Sequence, residues 1–156
     1  MGITTTLALY LDDQGVAYDL VPHPRVALAS AAEPAGPVAP ERVAQAVVLR
    51  GGDGFMLAVL PASRRIQFEE LRKLLGSDVD MAGEEQVETL FLDCDPDAVP
   101  ALGAAYGLDI VVDESLAQQP EVYVEGGDHA SLVRISGKSF QKLVANARRG
   151  RFSGRA

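Results

Sequence analysis

Ala46-Val47-Val48-Leu49-Arg50, then Gly51-Gly52-Asp53-Gly54, then Phe55-Met56-Leu57-Ala58-Val59-Leu60-Pro61 is the stretch from which the fold is read. Two apolar runs joined by a short glycine-rich connection predict a β-hairpin, because glycine supplies the backbone angles that a tight reversal needs. Neither run alternates cleanly between apolar and polar residues. Both faces of the hairpin are therefore expected to be covered, which makes it the centre of a sheet.

Toward the N-terminus, Thr4 to Thr6 can cap a helix whose Leu7, Tyr10 and Leu11 share a face and which Gly15 ends. Val16 to Leu20 alternates as a strand. His23-Pro24 marks an extended bend, Ala27 to Glu33 favours a short helix, and the cluster Pro34, Gly36, Pro37, Pro40 closes it, with one helical turn expected from Pro40 to Ala44. Beyond the hairpin, Phe68 to Leu75 predicts a helix with Leu71, Leu74 and Leu75 inward and Gly76 as its stop; Glu84 to Leu92 predicts another, with a short strand between them at Asp78 to Met81. Asp93 to Gly107 is expected to be a long loop. Strands are expected at Asp109 to Val112, Glu121 to Val124 and Leu132 to Ser136, followed by a helix capped by Ser136 and running to about Arg148. The fold class is mixed α/β.

The chain has 156 residues, 47% of them hydrophobic, which suits one domain. That domain is expected to span residues 1–147, with 148–156 as a basic C-terminal tail. No apolar run approaches the ~20 residues that cross a bilayer, the N-terminus lacks a leader pattern, and Cys94 is the single cysteine. A cytoplasmic protein without membrane contact is the expectation. The net charge of −8 argues against DNA and against uniformly basic nucleic-acid binding. It hides an asymmetry. All 22 acids lie at or before Asp128 beside seven of the 14 bases, leaving −15, whereas His129 to Ala156 holds seven bases and no acid. Either a basic final segment offsets an acidic body, or Arg148, Arg149, Arg151 and Arg155 touch RNA phosphates.

Several motifs fail on inspection. Ser136-Gly137-Lys138-Ser139 resembles the end of a phosphate-binding loop, but Leu132 stands where its first glycine belongs. Asp93, Asp95 and Asp97 have calcium-loop spacing without the glycine or closing glutamate, and Ser139-Phe140-Gln141-Lys142 lacks the partner motifs of a Ser-x-x-Lys enzyme. His23, His129 and Cys94 lack the spacing of a zinc site, and Asp93 and Asp95 would oppose a Cys94 thiolate. No metal and no cofactor is expected. An enzyme built from these residues works without a covalent intermediate, through backbone amides, polar groups and water.

The order Tyr18, His23-Pro24, Val43-Ala44-Gln45-Ala46, the hairpin, Ala98-Val99-Pro100-Ala101-Leu102-Gly103, Val111 to Leu116, Glu121 to Val124 and Gly126-Gly127-Asp128-His129 resembles the YbaK/prolyl-tRNA-editing family of aminoacyl-tRNA deacylases, from about Leu7 to Leu143. The resemblance implies a curved, barrel-like mixed sheet flanked by helices. It also implies hydrolysis of the ester between a small noncognate amino acid and the terminal adenosine of a mischarged tRNA, with an aminoacyl-tRNA synthetase as a second partner. In such proteins a lysine at the start of the first hairpin strand holds the substrate end, and a glycine-containing loop turns amides toward the scissile carbonyl. Those positions fall on Gln45 and on Gly103 with Pro100 and Ala101. Gln45 can donate a hydrogen bond but carries no charge. A noncatalytic binder of aminoacyl-adenosine or another small ligand is the alternative. The resemblance makes His129 a pocket wall, against a plain turn histidine; Asp128 orients it or favours the turn. Tyr18 is a core residue or a phenol at the pocket, and His23 a substrate contact or a structural residue before Pro24.

Overall fold

Leu7 and Leu11, one helical turn apart, are both fully buried, and Thr4 Oγ1 accepts the Leu7 amide at 3.4 Å, so the first helix, α1 (Thr5–Asp13), is capped and amphipathic as its sequence predicts. The computed structural model describes residues 4–22, 39–52, 54–92, 94, 99–127 and 131–155. The strand expected from Val16 begins later, as β1 (Asp19–Pro22), and Val16 is buried beneath it in the main core. The helix expected at residues 27–33 lies outside the described residues. Pro40–Arg42 is a 3-10 turn, as the proline foretold.

The hairpin forms β2 (Val43–Gly51) and β3 (Gly54–Pro61), in antiparallel register from Ala44 opposite Pro61 to Gly51 opposite Gly54. Gln45, expected just before the strand, is its third residue. β4 (Arg64–Ile66), α2 (Phe68–Leu75), β5 (Asp80–Met81) and α3 (Glu84–Leu90) follow, then a 3-10 turn at Gly103–Tyr106, β6 (Asp109–Asp113), a 3-10 turn at Glu114–Gln118, β7 (Glu121–Glu125), β8 (Ser131–Ser136) and α4 (Gly137–Leu143).

The helix expected to reach Arg148 stops at Leu143, and the segment expected as a tail is woven into the sheet. Arg148–Gly150 forms β9, parallel to β6, and Ser153–Arg155 forms β10, antiparallel to β4. Phe152 between them is fully buried, and its amide donates to Asp113 Oδ1 at 3.1 Å. Ladder hydrogen bonds and one buried aromatic outweigh the helical preference of the stretch at residues 144–148.

The main sheet runs β1-β8-β7-β2-β3-β6-β9, with β5 also on β2, and mixes parallel with antiparallel pairs. Alternation along each strand sends side chains to opposite faces. On one face Ala44, Val48, Leu57, Val59 and Val112 join Leu7 and Leu11 of α1, Phe140 of α4 and the loop residues Val99, Ala101 and Leu102 in the largest core. On the other, Leu49, Ala58, Leu60 and Val111 pack on Leu71 of α2 and on Phe152, while Val43, Tyr123 and Leu132 form a smaller cluster with Ala62. The hairpin is thus covered on both sides, and the fold is a mixed sheet flanked by helices.

Candidate functional site

β2 shares the edge away from β3 between two strands. β7 pairs in parallel at Val43 and Ala44, and β5 pairs antiparallel at Leu49 and Arg50, with the Ala82 amide donating to Val48 O at 2.9 Å. Between them, on the edge away from β3, residues 45–47 lie outside the registers with β7 and β5. A window therefore opens in the middle of the sheet, where neighbouring strands would otherwise sit about 4.8 Å apart.

Gln45 stands at the start of this window. It is half-buried, opposite Leu60, and by alternation it points to the face occupied by Val43 and Val47. On β7, Tyr123 is opposite Val43, so one further alternation brings Glu125 level with Gln45 and onto the same face. Glu125 is 2% exposed, with both carboxylate oxygens buried. The expected strand ends at Val124, just before Glu125, and only the parallel β2–β7 register, linking residues 80 apart, sets Glu125 level with Gln45.

Beyond Glu125 the chain turns. Gly126 donates to Ser131 O at 3.0 Å and accepts the Thr4 amide at 3.0 Å. Gly127 has φ +92, and a Cβ there would run into the Thr4 methyl and come to 3.1 Å from Cys94 Sγ, so both the backbone angle and the space call for glycine. The Tyr106 hydroxyl lies 3.1 Å from Thr4 Oγ1 and 3.1 Å from Cys94 Sγ, and its ring packs 4.7 Å from that of Phe91. This cluster ties the start of α1, the loop at Cys94 and the end of β7 together near the window. Cys94 serves packing and hydrogen bonding there.

The expected loop residues lie across the sheet from the Gln45 side chain. Val99, Pro100, Ala101, Leu102 and Gly103 are all buried. A Cβ on Gly103 would sit 2.5 Å from Ile110 Cγ2, 2.9 Å from Leu108 O and 3.2 Å from Leu57 Cδ1, so this glycine seats the loop on the face that carries Leu57 and Val59. Tyr18 is half-buried against the main core. His23, Asp128 and His129 lie outside the described residues.

The arginines of the last segment do different things. Arg148 Nη1 donates to Leu74 O at 3.3 Å and to Leu75 O at 3.5 Å, and Arg151 Nε meets Glu114 Oε2 at 3.0 Å, while Arg149 is exposed. Among the described residues two groups have displaced pKa values: burial pushes the Tyr10 phenol up, and the hydrogen bond from Arg134 to Asp19, helped by one to Tyr123, raises Arg134. An open groove of about 490 Å³ lies at the other end of the sheet, lined by the hairpin turn, Ser77, Asp109, Asn146 and Arg148; Gln45 is not part of it. Among the described residues no three His, Cys, Asp or Glu side chains gather as metal ligands, and no helix is long and apolar enough to cross a membrane.

Residues 23–143 match the family described as the aminoacyl-tRNA editing domain. No curated protein matches the chain. Among solved structures, a candidate trans-editing enzyme for prolyl-tRNA synthetase superposes with a TM-score of 0.79 at 23% identity, covering 96% of this chain and 95% of that one. The hypothetical protein APE2540 gives 0.80 at 20% identity over 96% and 99%. A candidate signal transduction protein from Marinobacter aquaeolei gives 0.75 at 20% identity, with 95% of this chain covering 30% of that longer one. At these identities the likeness to solved structures is one of fold.

Proposed function

The chain belongs to the aminoacyl-tRNA editing domain family, and on that premise we propose that it hydrolyses the ester of a tRNA mischarged with a small noncognate amino acid, at the window beside Gln45. The observation that carries this reading is the adjacency of Gln45 and the buried Glu125 on one face of the sheet, at a gap in its hydrogen bonding. An ester is already activated, so a positioned water and a donor for the developing oxyanion suffice. Water attacks the carbonyl carbon, the bond from that carbon to the ribose oxygen breaks, and the proton released by the water passes through Glu125 to that oxygen, leaving a free amino acid and a ribose hydroxyl. The Gln45 amide donates to the oxyanion.

The test is deacylation of a panel of mischarged tRNAs by the native chain beside Gln45→Ala, Gln45→Lys and Glu125→Gln. Gln45→Ala is expected to cut kcat by about 10²–10³, the usual cost of one lost oxyanion donor. Glu125→Gln is expected to cut kcat by about 10²–10⁴, the usual contribution of a general acid–base group. A native chain that leaves every mischarged tRNA intact, while a lysine-bearing family member clears them, ends the hydrolytic reading. Equal activity of the native chain and both Gln45 variants removes position 45 from the chemistry.

One observation favours a second reading. Gln45 is neutral where the family resemblance expects a lysine, which suits a domain that binds aminoacyl-adenosine without cleaving it. Activity gained only in Gln45→Lys selects that reading.

A further inference from the structure

Two segments almost ninety residues apart in sequence build one basic ribbon. β4 carries Arg64 and Arg65, and β10 lies antiparallel to it with Arg155 opposite Arg64 and Gly154 opposite Arg65. β9 and the residue after it add Arg148, Arg149 and Arg151. Six of the chain's 14 bases therefore come from these two short segments of a protein whose net charge is −8.

Four of the six have no acidic partner among the described residues: Arg65 and Arg149 are exposed, Arg64 is half-buried, and Arg148 donates to the Leu74 and Leu75 carbonyls. Three of the acids nearby already have partners. Glu114 holds Arg151, whose own side chain is still 87% exposed. Asp113 accepts from the Ser115 amide and hydroxyl and from the Phe152 amide, and Glu70 on α2 pairs with Lys73 at 3.6 Å. Surface arginines left without an acidic partner contribute a local positive field, which persists over about one Debye length even when the whole molecule is acidic.

The ribbon stands at the Gln45 end of the sheet. Gln45 is opposite Leu60, β3 ends at Pro61, and the Ala62 amide donates to Val43 O at 2.9 Å. Arg64 is four residues beyond Leu60, so their Cα atoms lie within about 14 Å by chain contour. β6 and β9 both run parallel to β3 and finish at this same end, where Gly150 is opposite Asp113.

We propose that Arg65 and Arg64, on the two faces of the β4–β10 ribbon, with Arg149 on the adjoining edge strand, form the rim that grips the phosphate backbone of tRNA while its aminoacylated 3′ end reaches the Gln45 window. This rests on the hydrolytic reading above for the identity of the RNA, and it adds the surface that an acidic chain needs in order to hold one. Guanidinium groups suit phosphate because their paired N–H donors match its oxygens. Each such contact releases counterions and steepens the salt dependence of binding.

The experiment measures the affinity of uncharged tRNA against salt for the native chain, for Arg64→Gln/Arg65→Gln/Arg149→Gln, and for the charge-matched control Lys73→Gln/Lys138→Gln/Lys142→Gln. The arginine triple variant is expected to lower the salt slope by about one per lost contact, and the lysine control to leave it unchanged. Deacylation should show KM for tRNA raised at least tenfold in the arginine variant, with kcat retained. Turnover of aminoacyl-adenosine should be unchanged, which also reports that the variant is folded. An unchanged slope in the arginine variant, or an equal fall in the lysine control, overturns the proposal. Binding to uncharged tRNA needs no chemistry. A native chain that binds through these arginines but deacylates nothing keeps the surface and discards the hydrolytic reading, and one that deacylates with an unaltered arginine slope does the reverse.

Discussion

Gln45 and Glu125 share a property that neither shows alone: one is a neutral donor, the other a buried carboxylate, and their strands set them level on one face. A lysine at position 45 would place an ammonium beside that carboxylate, so the glutamine changes the charge of the pair as well as the donor. Gly103 illustrates the opposite case. The family resemblance lends it an amide for catalysis, while its surroundings require it for packing, since a methyl there meets both a side chain and the rigid carbonyl of Leu108. Gly103→Ala is accordingly expected to destabilise the fold by about 1–3 kcal/mol, the usual cost of overpacking, seen as a lower midpoint in urea. A variant of native stability with lost deacylation would instead give the residue a direct part in the chemistry.

At the scale of elements, the final segment changes its meaning most. Residues 148–155 contribute an edge strand to the main sheet, half of a two-stranded ribbon, and the buried ring of Phe152, whose backbone anchors to Asp113. Phe152→Ala is expected to cost about 3–5 kcal/mol, measurable by thermal or urea unfolding, because a large aromatic leaves a cavity between α2 and β6. Removal of everything after Ala147 should be worse still and should yield a chain that fails to fold, which is why the arginines are best tested by substitution. A nearly native melting curve for the Phe152 variant would return this segment to the status of a tail. The elements read correctly from sequence were those with local signatures: the Thr4 cap with the Leu7 and Leu11 spacing of α1, the glycines between β2 and β3, and Ser136 ahead of α4, whose hydroxyl accepts the Ser139 amide at 3.0 Å. The end of α4 was misread because Ala145 to Ala147 favours helix locally, while the edge of β6, far off in sequence, takes up the next three residues as strand.

For the whole molecule, periodicity, caps and turn residues in the sequence were enough to determine a mixed α/β domain with the hairpin at its centre, because these signals act within a few residues of one another. The order of elements was enough to point to the editing family and to position 45. The sequence also displayed a charge asymmetry, without a shape for it. Tertiary structure alone decided the window, the company Gln45 keeps, the face against which Gly103 rests, and the union of Arg64 and Arg65 with the arginines of the last strands. Each of these depends on strand pairings between residues about 35 to 90 apart. Such pairings are chosen by the burial of two faces at once and by closing long loops, and no local pattern of residues encodes that choice.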